Sequence, residues 1–246
     1  MEKVIAALWA PDGEPREAFG TRVLATLPDA LIAAGARRLR LNLRDAAVRP
    51  GDGLVQRWQD PQPAAIAQFW LPSANARFRA GIDAALAAHG ARFALWLVAE
   101  STIIANVAHP VEPGARTWGW SQASFITFRP DIPRGQAIAH WHGHHTRVAI
   151  ETQSNFEYVQ NLIVRPLTDD APAYDAFVEE CFPLEALTVP DVFFDAVGNG
   201  EKFAANLAAM MDSCQAFIDF ARVDIIPTSQ FDLAYRDGAY RDGCGG

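Results

Sequence analysis

His109-Pro110-Val111-Glu112-Pro113-Gly114-Ala115-Arg116-Thr117-Trp118-Gly119 divides this 246-residue chain. Its two prolines and two glycines interrupt regular structure, so the stretch reads as a linker. Working outward from it, both sides spell the same order of elements. Upstream, Val4 to Trp9 is a short apolar strand closed by Pro11-Asp12-Gly13. Pro15 to Ala34 carries Phe19, Val23, Leu27, Leu31 and Ile32 at helical spacing and stops at Gly35. Leu39, Leu41 and Leu43 alternate with Arg38, Arg40, Asn42 and Arg44, a strand with one wet face. A loop from Pro50 to Pro63 leads to a strand at Ala64 to Leu71. A helix capped by Ser73 then runs to His89 and Gly90, followed by a buried strand, Phe93 to Ser101.

Downstream, Ser121 to Phe128 is a strand and Pro133 to Glu151 a helix. Phe156 to Leu167 and Asp175 to Phe182 are strands. Leu184 to Cys214 is mostly helical, broken near Gly198-Asn199-Gly200, and Val223 to Leu233 is a last strand. Each half therefore reads strand, helix, strand, strand, helix, strand, the ferredoxin-like order. The expected architecture is α+β: tandem ferredoxin-like repeats, residues 1–108 and 119–234, forming an α/β barrel. The polar tail 235–246 is expected to be mobile. The halves share no obvious residue identity, so the repeat rests on element order.

Composition bounds the function. Half the residues are apolar and the net charge is −8, which speaks against nucleic acid or an anionic membrane as the main partner. The start, Met1-Glu2-Lys3-Val4-Ile5, has no basic region or cleavable apolar stretch, and no segment is long and apolar enough to span a bilayer. Cys181, Cys214 and Cys244 have neither disulfide-framework nor zinc spacing. A reducing cytoplasm is the simplest compartment.

The chemistry-bearing stretch is His140-Trp141-His142-Gly143-His144-His145, which holds four of the six histidines. On a helix, His142, His145 and Trp141 share one face, and His140 and His144 fall on an adjoining one. A core-facing His145 beside Trp141 suits a general acid or base; its bland alternative is a histidine satisfied by a backbone carbonyl. His140 and His144 are spaced as two metal ligands, but no third ligand is signalled, so no metal is expected. Strand alternation sets Tyr158 and Gln160 on one face and Glu157 on the other. It also sets Glu179 opposite Glu180. Neither a Gly-rich phosphate loop nor a Gly-x-Ser-x-Gly elbow appears, and no cofactor is expected.

Phe128-Arg129-Pro130-Asp131-Ile132-Pro133, then His140-Trp141 with His145 four residues on, then Tyr158-Val159-Gln160-Asn161, and then Tyr174-Asp175 with Glu179 and Phe182, occur in this order. In these stretches the second half, Ser121 to Leu233, resembles the EthD family of dimeric α/β barrel proteins. The first half departs from it in lacking any His-Trp helix. The resemblance implies a pocket between sheet and helices. Relatives by fold range over cyclases, isomerases, decarboxylases, dehydratases and haem-degrading enzymes, among which fold alone does not choose.

The leading expectation is a cofactor-independent lyase or isomerase acting on a hydrophobic, aromatic or polyketide-like small molecule. Catalytic candidates are His145, Tyr158, His142 and Glu179. Trp141, Gln160, Arg129 and Arg147 are candidates for holding substrate. A non-catalytic binding protein of a degradation pathway and a haem- or metal-dependent oxidoreductase are the alternatives, and a homodimer stays open.

Overall fold

A computed structural model describes residues 1–233; the expected tail, 235–246, lies outside the described residues. The N-terminal half contains β1 (Glu2–Trp9), α1 (Arg16–Ala33), β2 (Arg37–Leu43), β3 (Ala65–Leu71), α2 (Ala76–His89) and β4 (Arg92–Ile104). The C-terminal half contains β5 (Trp120–Ile126), α3 (Arg134–His140), α4 (Thr146–Thr152), β6 (Glu157–Pro166), β7 (Ala176–Phe182), α5 (Pro190–Phe193), α6 (Gly200–Gln215) and β8 (Asp224–Asp232).

All strand pairs are antiparallel, and the sheet closes on itself in the order β4-β1-β3-β2-β8-β5-β7-β6. Each half thus contributes its fourth, first, third and second strands in that spatial order. Two seams join the halves: β2 against β8, from Arg40↔Asp232 to Leu43↔Ser229, and β4 against β6, from Trp96↔Pro166 to Ile104↔Tyr158. Closure leaves no sheet edge unpaired among the described residues.

Period-two alternation sorts side chains to the two faces. Inside the barrel, one end is apolar, with Ile5, Trp9, Ile66, Trp96, Phe125 and Phe177 in contact. The other end holds Arg40, Asn42, Gln68, Ser121, Glu157, Glu179 and Gln230 in one hydrogen-bonded network. Outside, Val4, Leu8, Leu41, Leu43 and Phe69 pack against Phe19, Val23, Leu27 and Leu31 of α1 and Ile82 and Leu86 of α2. Each such buried side chain contributes about 1.5–3 kcal/mol.

Several local expectations are corrected. Asn75, not Ser73, caps α2, its side chain accepting from the Arg77 N–H. The stretch read as loop from Pro50 holds the end of a 3-10 segment, Ala46–Leu54, capped by Asp45. The helix read as continuous from Pro133 to Glu151 is interrupted by a π turn at Trp141–His145. Among the described residues, no helix is long and apolar enough to cross a membrane.

Candidate functional site

The π turn positions the central residues. The Thr146 N–H reaches back five residues to the Trp141 carbonyl, and the Thr146 hydroxyl donates to the same oxygen at 2.9 Å. Widened turns of this kind recur at functional sites. Here the turn buries Trp141 and His145 and leaves His142, Gly143 and His144 outside. Trp141 is anchored in the C-terminal core with Phe128 and Phe217.

A cavity of about 410 Å³ opens between the outer face of β5–β8 and the helices above it. The sheet contributes Ser124, Ile126, Tyr158, Val178, Glu180 and Ile225. The helical layer contributes Trp141, His145, Phe193, Met210, Cys214 and Phe217. Leu54 and Gln56 reach it from the N-terminal half. A mostly apolar wall with a few polar groups is the ordinary make-up of a small-molecule site of this size.

The polar groups have distinct electrostatics. Glu180 is buried, and its Oε1 accepts from Asn155 Nδ2 at 3.0 Å. Burial pushes its carboxyl up to about 7, against the lowering effect of the Asn155 bond. Burial, with smaller contributions from His140 and His144, lowers His145 to about 4, so its imidazole is neutral at pH 7. Burial also raises Tyr158 well above the usual phenol range. Its oxygen accepts from Gln160 Nε2 at 2.8 Å, and the same nitrogen lies 2.8 Å from Thr146 Oγ1. The Cys214 thiol is pushed up to about 12 by burial and then by Glu180. Ser124 Oγ and Gln153 Oε1 also line the cavity, buried and without a hydrogen-bond partner among the described residues. Each unpaired group costs roughly 1–3 kcal/mol, which a polar atom of a ligand would offset.

The structure brings His145, Tyr158 and Trp141 of the expected set to one cavity. Glu179 is not there. It faces the barrel interior, where Asn42, Ser121, Gln68, Gln230 and Arg40 surround it. Burial alone would raise its carboxyl, but Arg40 and the amide donors outweigh that and hold it well below the usual range. Its neighbour Glu180 takes the place in the cavity, because Tyr158 and Glu180 are direct cross-strand partners and project to the same side. Gln160 is buried behind Tyr158 and does not line the cavity.

His142 is exposed beside Trp141, its rings 4.8 Å apart, with its pKa lowered by partial burial. Arg129 pairs with Asp131, and Arg147 pairs with Glu151, four residues along the helix. Both pairs lie on the surface, away from the cavity lining, Arg129 in the connection between β5 and α3 and Arg147 on the outer face of α4. His140 is half-buried and lies against Ser213, whereas His144, the other histidine of the adjoining face, is exposed. Ser213, Ser124, Gln153 and Phe217 were not singled out by sequence; each sits in an ordinary polar or apolar context with no motif around it.

A second cavity, about 830 Å³, opens at the polar end of the barrel between Lys3, Arg40, Gln68, Glu100, Glu157 and Asp232. Its cations are engaged by carboxylates: Lys3 pairs with Glu100, and Arg40 with Glu157 at 2.7 Å and Asp232 at 2.7 Å. Among the described residues, no three His, Cys, Asp or Glu side chains gather as a metal-binding set.

No described protein family and no curated protein matches this sequence. By structure, the chain is similar to an anthrone oxidase-like protein at 9% identity, covering 95% of this chain and 92% of that chain, with a TM-score of 0.52. It also aligns with a candidate monooxygenase from Lactobacillus acidophilus (7% identity, 93% of each chain, TM-score 0.44). A candidate chlorite dismutase aligns at 7% identity over 95% of each chain, with a TM-score of 0.42. The first likeness shows a shared fold, which in this chain is an eight-stranded antiparallel barrel closed within a single chain.

Proposed function

We propose that this protein is an enzyme that transfers protons on an apolar, ring-bearing, oxygenated small molecule held in the 410 Å³ cavity. One observation carries the reading: Glu180, a buried carboxyl poised at about 7, shares that cavity with a neutral histidine and a neutral phenol. A group titrating near the working pH is the most effective proton carrier, and residues shifted this way in a cleft mark candidate sites. Ionised Glu180 takes a proton from a carbon next to a carbonyl, and the electron pair moves onto the oxygen. His145 and Tyr158 supply hydrogen bonds to that oxygen as it gains charge. Return of the proton to another carbon gives an isomer; expulsion of a hydroxyl as water gives a dehydrated ring. The EthD resemblance of residues 128–182 implies a pocket between sheet and helices, the place this reading gives to the chemistry.

A second reading is favoured by the name of the anthrone oxidase-like neighbour. The same enolate can react with dioxygen. Addition at carbon gives a hydroperoxide, and loss of water then leaves a new carbonyl, with dioxygen as oxidant. Anthrone, an enolisable tricyclic ketone, tests both readings in D₂O. Deuterium entering the substrate carbon in the presence of wild-type protein, lost in Glu180→Gln, supports proton abstraction; oxygen uptake in step with turnover selects the oxidative branch. Equal exchange by wild type and Glu180→Gln removes Glu180 from the role given to it.

A further inference from the structure

The hydrogen bonds behind His145 favour one placement of its proton. His140 Nε2 lies 3.1 Å from the Ser213 carbonyl oxygen. A carbonyl only accepts, so His140 carries its proton on Nε2. The same nitrogen is 3.4 Å from Ser213 Oγ, so that N–H also faces the hydroxyl oxygen. The hydroxyl has one proton to give, and His145 Nδ1 stands 3.0 Å from it. A neutral imidazole whose Nδ1 accepts carries its proton on Nε2. Phe217 packs against both rings, with centroids 5.6 Å from His140 and 5.0 Å from His145, and restricts their rotation.

We propose that Ser213 and His140 are positioning residues that hold His145 in its Nε2–H tautomer, so that it meets the ligand as a hydrogen-bond donor to an oxygen and not as a base. The inference rests on the cavity being the active site and divides the labour within it. Glu180 is the proton acceptor. His145 stabilises charge on a carbonyl or phenolate oxygen through a donor whose orientation is set before the ligand arrives. Burial, which keeps His145 neutral, preserves this arrangement across the neutral range.

The test is a long-range proton–nitrogen correlation spectrum of the full-length, ¹⁵N-labelled protein near neutral pH, with His145 assigned by loss of its signals in His145→Gln. The expected result is a pyridine-type Nδ1 and a pyrrole-type Nε2. In Ser213→Ala the two nitrogen resonances move toward each other as the tautomers mix; Ser213→Thr, which keeps a hydroxyl, retains the wild-type separation. With anthrone as substrate, Ser213→Ala lowers kcat about tenfold with little change in KM. A pyrrole-type Nδ1 in the wild type, or an unchanged spectrum in a folded Ser213→Ala, overturns the proposal. The wild-type spectrum needs no substrate, so a protein inactive on anthrone bears on the proposed function and leaves this reading to the spectrum.

Discussion

In the N-terminal half, Phe19, Val23, Leu27 and Leu31 of α1, with Ile82 and Leu86 of α2, fill the space above β1–β4. In the C-terminal half, the equivalent space above β5–β8 holds a 410 Å³ cavity edged by Glu180, His145 and Tyr158. The strand order is the same in both halves. The difference lies in what the helices carry: α1 runs unbroken for 18 residues with an apolar inner stripe, whereas its counterpart is interrupted by a π turn that turns a histidine inward. One half holds the barrel together; the other gives up close packing to enclose buried polar groups, which cost stability unless a ligand satisfies them.

The comparison breaks most visibly at adjacent carboxylates. Glu180→Gln is expected to lower turnover about 10²–10⁴-fold, the usual range for a lost general acid or base, with the fold intact by circular dichroism. Glu179→Gln should instead act on stability, because it leaves Arg40 with one ionic partner fewer in the barrel interior. If Glu179→Gln alone abolished activity while Glu180→Gln kept it, the site would lie inside the barrel.

Packing supplies the next contrast. Phe19→Ala should cost about 3–5 kcal/mol in denaturant unfolding, as expected for an aromatic removed from a filled core. Met210→Ala, at a position already bordering the cavity, should fall at the low end for its type, about 2 kcal/mol. Equal costs would mean that the second half is packed as tightly as the first.

Stability against pH gives a third measure. Glu180 releases its proton near 4.5 when unfolded but near 7 when folded. The folded chain binds more protons across that window, so this group makes stability fall as pH rises through it. His145 does the reverse: its ordinary value of 6.5 drops to about 4 on folding, so its contribution rises with pH between those values. The two effects oppose each other where the windows overlap. Glu180→Gln removes only the falling limb, so it should gain on wild type between pH 4.5 and 7 by on the order of 3 kcal/mol. Parallel curves for the two proteins would contradict a Glu180 titrating near neutrality.

The smallest effect is expected where the halves touch over the cavity. A methyl group on Gly51 would meet the end of the Leu187 side chain and lie 3.4 Å from Pro227 Cβ. Gly51→Ala should therefore shift the segment that carries Leu54, costing about 1 kcal/mol and weakening ligand binding measured by calorimetry. Unchanged affinity would show that the N-terminal half contributes little to the site.

Element order was legible in the sequence because each half writes its burial pattern locally, as in the alternation of Leu39, Leu41 and Leu43 or the spacing of Phe19, Val23 and Leu27. The pairing of Trp141 and His145 was legible for the same reason. Which carboxylate joins them was not. Alternation separates Glu179 from Glu180, but only the long-range register Tyr158↔Glu180, together with the placement of the helices, says which face becomes the cavity wall. Ser213 escaped because its meaning comes from two histidines 73 and 68 positions away. Arg129 and Arg147 lie close to the histidine run in sequence, yet each is engaged on the surface.

The π turn also absorbs a residue. It spans with five residues the arc that an α-helix closes with four, since the Thr146 N–H reaches the Trp141 carbonyl five positions back. Deleting exposed Gly143, above which no atom lies within 4 Å, would let the same two groups bond across an ordinary α turn. Val148, Ala149 and Thr152 would then keep their places against the sheet. One small residue facing water thus widens the helix where Trp141 and His145 turn inward, without shifting the buried stripes of the segments on either side.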